Sequence, residues 1–191
     1  MRFAEPVEPT LTLQQIRGKE GIRVRQAYAK ASQETGVQWS GRSYKREDWY
    51  SADNVNRALS AANSCLYGIC HAAIVSAGYS PALGFIHTGK MLSFVYDIGD
   101  LYKANLTIPI AFAESAKGSE NLEPRVRRSC RDKFRESSLL QRIIPDIERA
   151  LSIGGATSME EEMYDSSDNP PGGLWDPTLG DVDGGQNWAE E

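Results

Sequence analysis

The amino-acid sequence predicts an all-α fold: a multi-helix domain over residues 12–153, followed by an acidic and disordered tail over residues 154–191. Three observations carry this prediction. Apolar residues recur every three or four positions through most of residues 12–151, the period of helices with one buried face. Capping and stop signals bound those stretches. No alternation of apolar and polar residues is long enough to give a sheet of its own.

Thr12 followed by Gln15 is a capping-box signature, and Gly36 supplies a stop, so a helix is expected between them. Its apolar positions are Leu13, Ile16, Val24, Ala27, Tyr28 and Ala31. Residues 37–50 form a polar connection rich in aromatics and bases. A second helix is expected from Ser51 or Asp53 to Gly78, with Pro81 just beyond and a stripe of Val55, Ala58, Leu59, Ala62, Leu66, Ile69, Ala73 and Ala77. The turn Ser80–Gly84 leads into a segment whose first part admits an extended conformation. From about Leu92, the residues Phe94, Val95, Ile98 and Leu101 suggest a third helix. A further helix is expected after Pro109. A long one covers roughly residues 124–151, with Pro145 expected to kink or divide it. From Gly154 onward, runs such as SSDNPPGG and GDVDGGQ are too polar and too rich in turn formers to order a core.

The chain has 191 residues and a net charge of −5, but the charge is unevenly spread. Residues 152–191 hold ten acids and no Lys or Arg, which leaves 16 acids against 21 bases, a net +5, in residues 1–151. A basic body permits nucleic-acid binding that the overall pI of about 5.2 would discourage. The three cysteines, Cys65, Cys70 and Cys130, read as reduced thiols of a helical core. The spacing of Cys65 and Cys70 does not suit a zinc knuckle. The first twenty residues mix charges with short apolar stretches and read as no signal peptide. The apolar region from Cys65 to Ala77 is interrupted by polar residues and is too short on its own to span a bilayer. A soluble, cytoplasmic protein with no membrane partner is expected.

Three acidic positions and one histidine stand out. Glu20 falls on the apolar stripe of the first helix, so it needs a cation, a metal or a rim position; a salt bridge to Arg17 or Arg23 is the plainer reading. His87 lies in the turn Gly84-Phe85-Ile86-His87-Thr88-Gly89-Lys90, off any regular apolar face, where a hydrogen-bonded turn residue is the plainer reading. His71, in the second helix, is taken as structural. Asp97 and Asp100 are three apart on one helix face, and their like charges ask for a neighbouring cation; a solvated acidic face or an Asp–Lys103 pair would explain them. Taken together, oxygen ligands from Glu20 and Asp100 with the His87 imidazole suit Mn²⁺ or Mg²⁺ better than Zn²⁺. A second feature is the run RVRRSCRDKFR over residues 125–135, with Arg127, Arg131 and Arg135 four apart on one stripe. Such a row can follow a phosphate backbone, or pair internally with acids. Arg42, Lys45 and Arg46, interleaved with Trp39, Tyr44 and Trp49, add charge and stacking area, though a surface loop explains them equally.

The stretches IRGKEGIRVR (16–25), ANSCLYGICHAAI (62–74), GYSPALGFIHTGKMLSFVYDIGDLYK (78–103) and RVRRSCRD (125–132) resemble successive blocks of the CRISPR spacer-acquisition integrases, the Cas-one family of subtype I-E. They cover nearly all of residues 12–151 in the family's order. The resemblance implies that residues 12–153 are the helical catalytic domain, with residues 1–11 similar to the linker that precedes it. It further implies metal ligands at Glu20, His87 and Asp100, with Asp97 beside them, and DNA contacts from Tyr67, Lys90, Arg127 and Arg131. The implied reaction is a metal-dependent transesterification that joins short captured DNA, the protospacer, to the CRISPR repeat. The implied partners are DNA and a small Cas-two protein, with a homodimer where the family's β-rich N-terminal domain is supplied. Nothing in the sequence corresponds to that domain, so a fragment, a truncated gene or half of a split protein is expected. The acidic tail departs from the more apolar partner-binding segment the family implies, although Pro170, Pro171, Leu174 and Trp175 could form a docking motif. Two other readings stay open: a DNA-binding or assembly remnant without activity, and a stand-alone nuclease of branched DNA.

Overall fold

The structure is a computed structural model that describes residues 10–42, 53–152, 174–176 and 180–182. Among the described residues six helices are formed: α1 (Leu13–Thr35), α2 (Asn54–Ser76), α3 (Ser93–Asp100), α4 (Thr107–Ala116), α5 (Leu122–Glu136) and α6 (Leu139–Ser152). Two short strands, β1 (Leu174–Asp176) and β2 (Gly180–Val182), pair antiparallel with Trp175 opposite Asp181. Contacts divide the chain into two compact units, Met1–Leu151 and Ser152–Glu191.

Helix α1 starts where its capping box predicts. The Thr12 hydroxyl accepts from the Gln15 N–H, and the Gln15 side chain accepts from the Thr12 N–H at 2.8 Å. It ends at Gly36, whose φ of +69° is a left-handed stop that costs a glycine little. Beyond it the chain is tied down by aromatics: Trp39 stacks on Tyr28 at 4.4 Å and leans on Phe112 of α4 at 5.6 Å. Arg42 donates to the backbone and side-chain oxygens of Asn56 and to the Ser60 hydroxyl. Trp39 and Arg42 therefore hold the first connection onto the core and are not exposed for stacking. Tyr44, Lys45, Arg46 and Trp49 lie outside the described residues.

Helix α2 is the hub. Asp53 caps it, accepting from the Asn56 N–H at 2.7 Å, and it packs against α3, α4 and α5. Leu59, Leu66, Cys70 and Ile74 on α2 are fully buried together with Val95, Ile98, Phe112, Val126 and Cys130. Taken whole, α2 is long and apolar enough to cross a membrane by length and composition, which the shorter stretch from Cys65 does not reveal. Its apolarity is used in the core of this domain instead. His71 is on the exposed side of α2 and lines none of the features described below.

The segment between α2 and α3 is a series of turns and not an extended strand. The amide of Phe94 donates to the Pro81 carbonyl at 2.9 Å, fastening the turn to the start of α3. The expected long C-terminal helix is broken, but not at Pro145. The break falls at Ser137 and Ser138, where Ser138 takes a positive φ of 51°. Pro145 sits inside α6, where it removes one backbone bond, that to the Gln141 carbonyl. Leu139, Ile143 and Ile147 form the buried stripe of α6, while Gln141 and Pro145 are exposed. Water can satisfy the freed carbonyl on that side, so the helix continues.

In the segment expected to be disordered, residues 174–176 and 180–182 form the β1–β2 ladder; the rest of 153–191 lies outside the described residues. Leu174, Trp175 and Val182 supply the apolar and aromatic types that favour strands.

Candidate active site around His87 and Asp100

The site is built by a loop folded over a buried carboxylate. Asp97 on α3 is fully buried, and an uncompensated charge there would be costly. The turn preceding α3 compensates it. Asp97 Oδ2 accepts from the backbone amides of Phe85 at 2.7 Å and Ile86 at 3.0 Å. Its Oδ1 accepts from the His87 amide at 3.0 Å and lies 2.7 Å from His87 Nδ1. Asp97 thus shapes the loop and orients the imidazole, with both oxygens bonded to loop groups, where the family resemblance sets it among the metal residues.

Gly84 makes the fold of this loop possible. A Cβ at that position would run into the His87 carbonyl and lie 2.8 Å from Asp97 Oδ2. Ser93 closes the far end: the Lys90 amide donates to its hydroxyl at 3.1 Å, and the hydroxyl donates to the Lys90 carbonyl at 2.9 Å. The Lys90 side chain, carried on this braced backbone, is exposed.

With Nδ1 engaged by Asp97, the Nε2 of His87 stands 4.0 Å from Asp100 Oδ2. Asp100 Oδ1 is buried without a well-aligned hydrogen bond and faces Lys103 Nζ at 2.5 Å. Lys103 also lies 5.0 Å from the centre of the Tyr67 ring. Burial acts to lower the Lys103 pKa, but the Asp100 charge and the Tyr67 hydroxyl outweigh it, and the net direction is up. Tyr67 is pressed onto the α3 backbone at Gly99, where an added Cβ would meet its ring at 2.9 Å. Tyr96 completes an aromatic wall, edge-on to Tyr67 at 5.0 Å and to His87 at 5.8 Å.

Glu20 is held on α1 by Arg23, which donates to both carboxylate oxygens at 2.8 and 2.9 Å. That hydrogen bonding raises the Arg23 pKa against the opposing effect of burial, and the charges of Glu20 and Asp100 raise it further. Arg23 is therefore the cation through which Glu20 and Asp100 share one electrostatic neighbourhood. Among the described residues, no three His, Cys, Asp or Glu side chains are gathered closely enough to hold a metal ion as they stand. Arg23 and Lys103 occupy the carboxylates instead.

Tyr67, His87, Asp97 and Asp100 are thus brought together, while Glu20 is paired with Arg23 on α1. Arg127 and Arg131 stand elsewhere, on the exposed side of α5. Both line a groove of about 530 Å³ that also includes Cys65, Ile69, Phe134 and Arg135, and Arg127 lines an adjoining one of about 350 Å³. Part of the basic run pairs internally. Arg125 donates to Glu114 and to the carbonyls of Glu114 and Gly118, and Arg131 is paired with Asp132 at 2.8 Å. Gly84, Tyr96 and Gly99 escape the sequence reading. Tyr96 lies four residues before Asp100, which is a usable signal; the glycines become significant only once the loop's path is known.

A profile of the family described as "CRISPR associated protein Cas1" matches residues 2–121. The CRISPR-associated endonuclease Cas1 2 of Thermus thermophilus is 56% identical over 185 residues, covering 97% of this chain and 56% of that protein. The CRISPR-associated endonuclease Cas1 of Escherichia coli is 47% identical over 154 residues, covering 81% of this chain and 50% of its own length. The chain therefore spans about half the length of these curated relatives. The crystal structure of a TtCas1–DNA complex superposes with a TM-score of 0.72 at 59% identity, covering 78% of this chain and 55% of the other. With a family match over most of the helical body and a shared fold at this identity, the chain belongs to the CRISPR-associated Cas1 family.

Proposed function

We propose that this chain carries the catalytic centre of a metal-dependent DNA endonuclease and integrase of CRISPR adaptation. In this reading Glu20, His87 and Asp100 hold one Mg²⁺ or Mn²⁺. The observation that carries it is the state of His87. Asp97 engages Nδ1 at 2.7 Å, which leaves Nε2 to offer its lone pair beside Asp100, 4.0 Å away. A carboxylate behind a histidine is the usual way a metal-binding imidazole is fixed in tautomer and orientation. Asp100 Oδ1 is buried and held by Lys103 Nζ at 2.5 Å, and a hard divalent cation replacing that ammonium would find an oxygen ligand there. When bound, such an ion supplies Lewis-acid polarisation of a phosphodiester.

The chain's own residues then position the DNA. Lys103, beside the Tyr67 ring, and the exposed Lys90 offer positive charge, and Tyr67 presents a ring packed against Gly99. Arg127 and Arg131 contact backbone phosphates along α5. In the proposed reaction a free 3′-hydroxyl of a short captured DNA attacks a phosphodiester of the CRISPR repeat. One P–O bond forms and another breaks, so catalysis rests on alignment and charge stabilisation. DNA is the partner that the relatives' endonuclease names and the TtCas1–DNA complex support. A small Cas-two protein and a second copy of the whole protein are the further partners we propose, and the cytoplasm is the compartment where such a substrate is met.

The Glu20–Arg23 and Asp100–Lys103 pairs favour a second reading, a DNA-binding or assembly module without catalysis. Incubation with branched DNA and Mn²⁺, alongside His87→Ala and Asp100→Ala, separates the two. Cleavage or joining lost in both variants supports the metal centre, and activity surviving both substitutions removes it. No activity in any sample favours the binding module, unless the β-rich domain added in trans restores it.

A further inference from the structure

The groove of about 530 Å³ beside α5 is lined by two kinds of side chain. One kind is apolar: Cys65 and Ile69 of α2, Phe134 of α5 and Leu140 of α6. Phe134 is 8% exposed and belongs to the packed core, whereas Leu140 is 57% exposed. Leu140 and the partly covered Ile69 therefore leave apolar surface open to whatever enters. The other kind is basic. Arg127, Arg131 and Arg135 are spaced four residues apart on one stripe of α5, and all three line the groove. Arg131 is paired with its neighbour Asp132. Among the described residues Arg127 and Arg135 have no hydrogen bond or ion pair, and both are exposed. Ser138, at the α5–α6 corner, and Gln141 of α6 add side chains that both donate and accept hydrogen bonds.

A ligand that complements this lining needs an apolar body, a polar edge and negative charge beside α5. An unpaired nucleotide supplies all three in one unit. Its base has apolar faces and a hydrogen-bonding edge, and its phosphates carry the charge. A paired base does not, because its faces are stacked and its pairing edge is taken up inside the duplex. An acidic, partly apolar peptide would meet the same demands at the groove itself. The basic charge, however, runs on past the groove, through the exposed Arg128 of α5 and the positive balance of residues 1–151. A regularly repeating polyanion matches such an extended field better than a peptide with a few acids.

We propose that this groove holds an unpaired base of single-stranded DNA, with Ile69 and Leu140 against the base and Arg127 and Arg135 on the phosphates that flank it. Gln141 faces the base edge. Every base has an apolar face, so the groove takes single strands without selecting one sequence. The proposal rests on the reading of α5 as a DNA-contacting helix and is independent of the metal site. It adds to that reading a preference for unpaired nucleotides, and it brings Ile69, Arg135, Leu140 and Gln141 into the DNA surface.

The test uses the full chain and three probes of about ten nucleotides: single-stranded oligothymidylate, an abasic strand of the same length and charge, and a duplex. By fluorescence anisotropy, oligothymidylate should bind about fivefold or more tighter than the abasic strand. Leu140→Ala should bring oligothymidylate close to the abasic strand while leaving the duplex and abasic affinities unchanged, which also shows that the variant is folded. A strand carrying 4-thiothymidine, irradiated in the complex, should crosslink to peptides that contain Cys65, Ile69, Phe134 or Leu140. Equal affinity for the base-bearing and abasic strands, a preference untouched by Leu140→Ala, or crosslinks confined to other peptides would each overturn the proposal. Those results would leave α5 as a phosphate-binding helix and the groove to an acidic, apolar peptide. Failure to bind any of the three probes would remove the DNA reading of α5 as well.

Discussion

Asp97 governs the centre of this domain because a buried carboxylate collects whatever donors the chain can bring. Here they are three consecutive backbone amides and one imidazole nitrogen. An asparagine would turn an NH₂ toward donors and leave at least one of them unsatisfied. Asp97→Asn should therefore cost at least about 1–3 kcal/mol in urea unfolding and reduce His87-dependent activity in the same variant. Gly84→Ala forces a methyl group against the His87 carbonyl and Asp97; a loss of about 1–3 kcal/mol is expected, measured the same way. The sequence marks His87, Asp97 and Asp100 as unusual, because charges three apart beside an apolar stripe demand a partner. It does not reveal that Asp97 points at the backbone of a loop ten to twelve residues earlier. That depends on the loop's path, which Gly84 permits but no periodicity records.

At the level of elements, helical period and caps made α1 and α2 legible to within a few residues. Thr12, Gly36 and Asp53 are local signals acting on their own neighbours, so they read directly. Sequence places the α5–α6 junction at Pro145 and the structure at Ser137–Ser138, because proline is a conspicuous breaker in sequence whereas its cost depends on which way the freed carbonyl faces. Pro145→Ala should restore the bond to Gln141 and stabilise the protein by about 1–3 kcal/mol, seen as a rise in Tm. The α4–α5 contact carries a pH signature. Burial acts to raise the Glu114 pKa, but donors from Lys117, Ser129 and Arg125 outweigh it and hold it below the ordinary value. A carboxylate held low stabilises the fold above its unfolded pKa, and that contribution is lost as pH falls through the folded value. Glu114→Gln should accordingly be less stable than wild type near about pH 7, with the gap closing on acidification toward about pH 3.

Over the whole molecule, the decisive sequence feature is the separation of charge, with ten acids confined to residues 152–191 and a positive balance before them. Exposed Arg127 and Arg131 are where that balance meets an open groove. Replacing each with alanine should weaken DNA binding similarly across sequences and lower the slope of log affinity against log salt by about one per residue. Assembly with partners could not be read at this scale, since the chain spans about half of its curated relatives. In the proposed function Glu20, His87 and Asp100 form one metal site once Arg23 and Lys103 give way. Mn²⁺ binding to the full chain, followed by electron paramagnetic resonance, tests it most directly. One bound ion per chain is expected in wild type, with affinity reduced about tenfold or more in both His87→Gln and Asp100→Asn. Unchanged Mn²⁺ affinity in the two variants would contradict it.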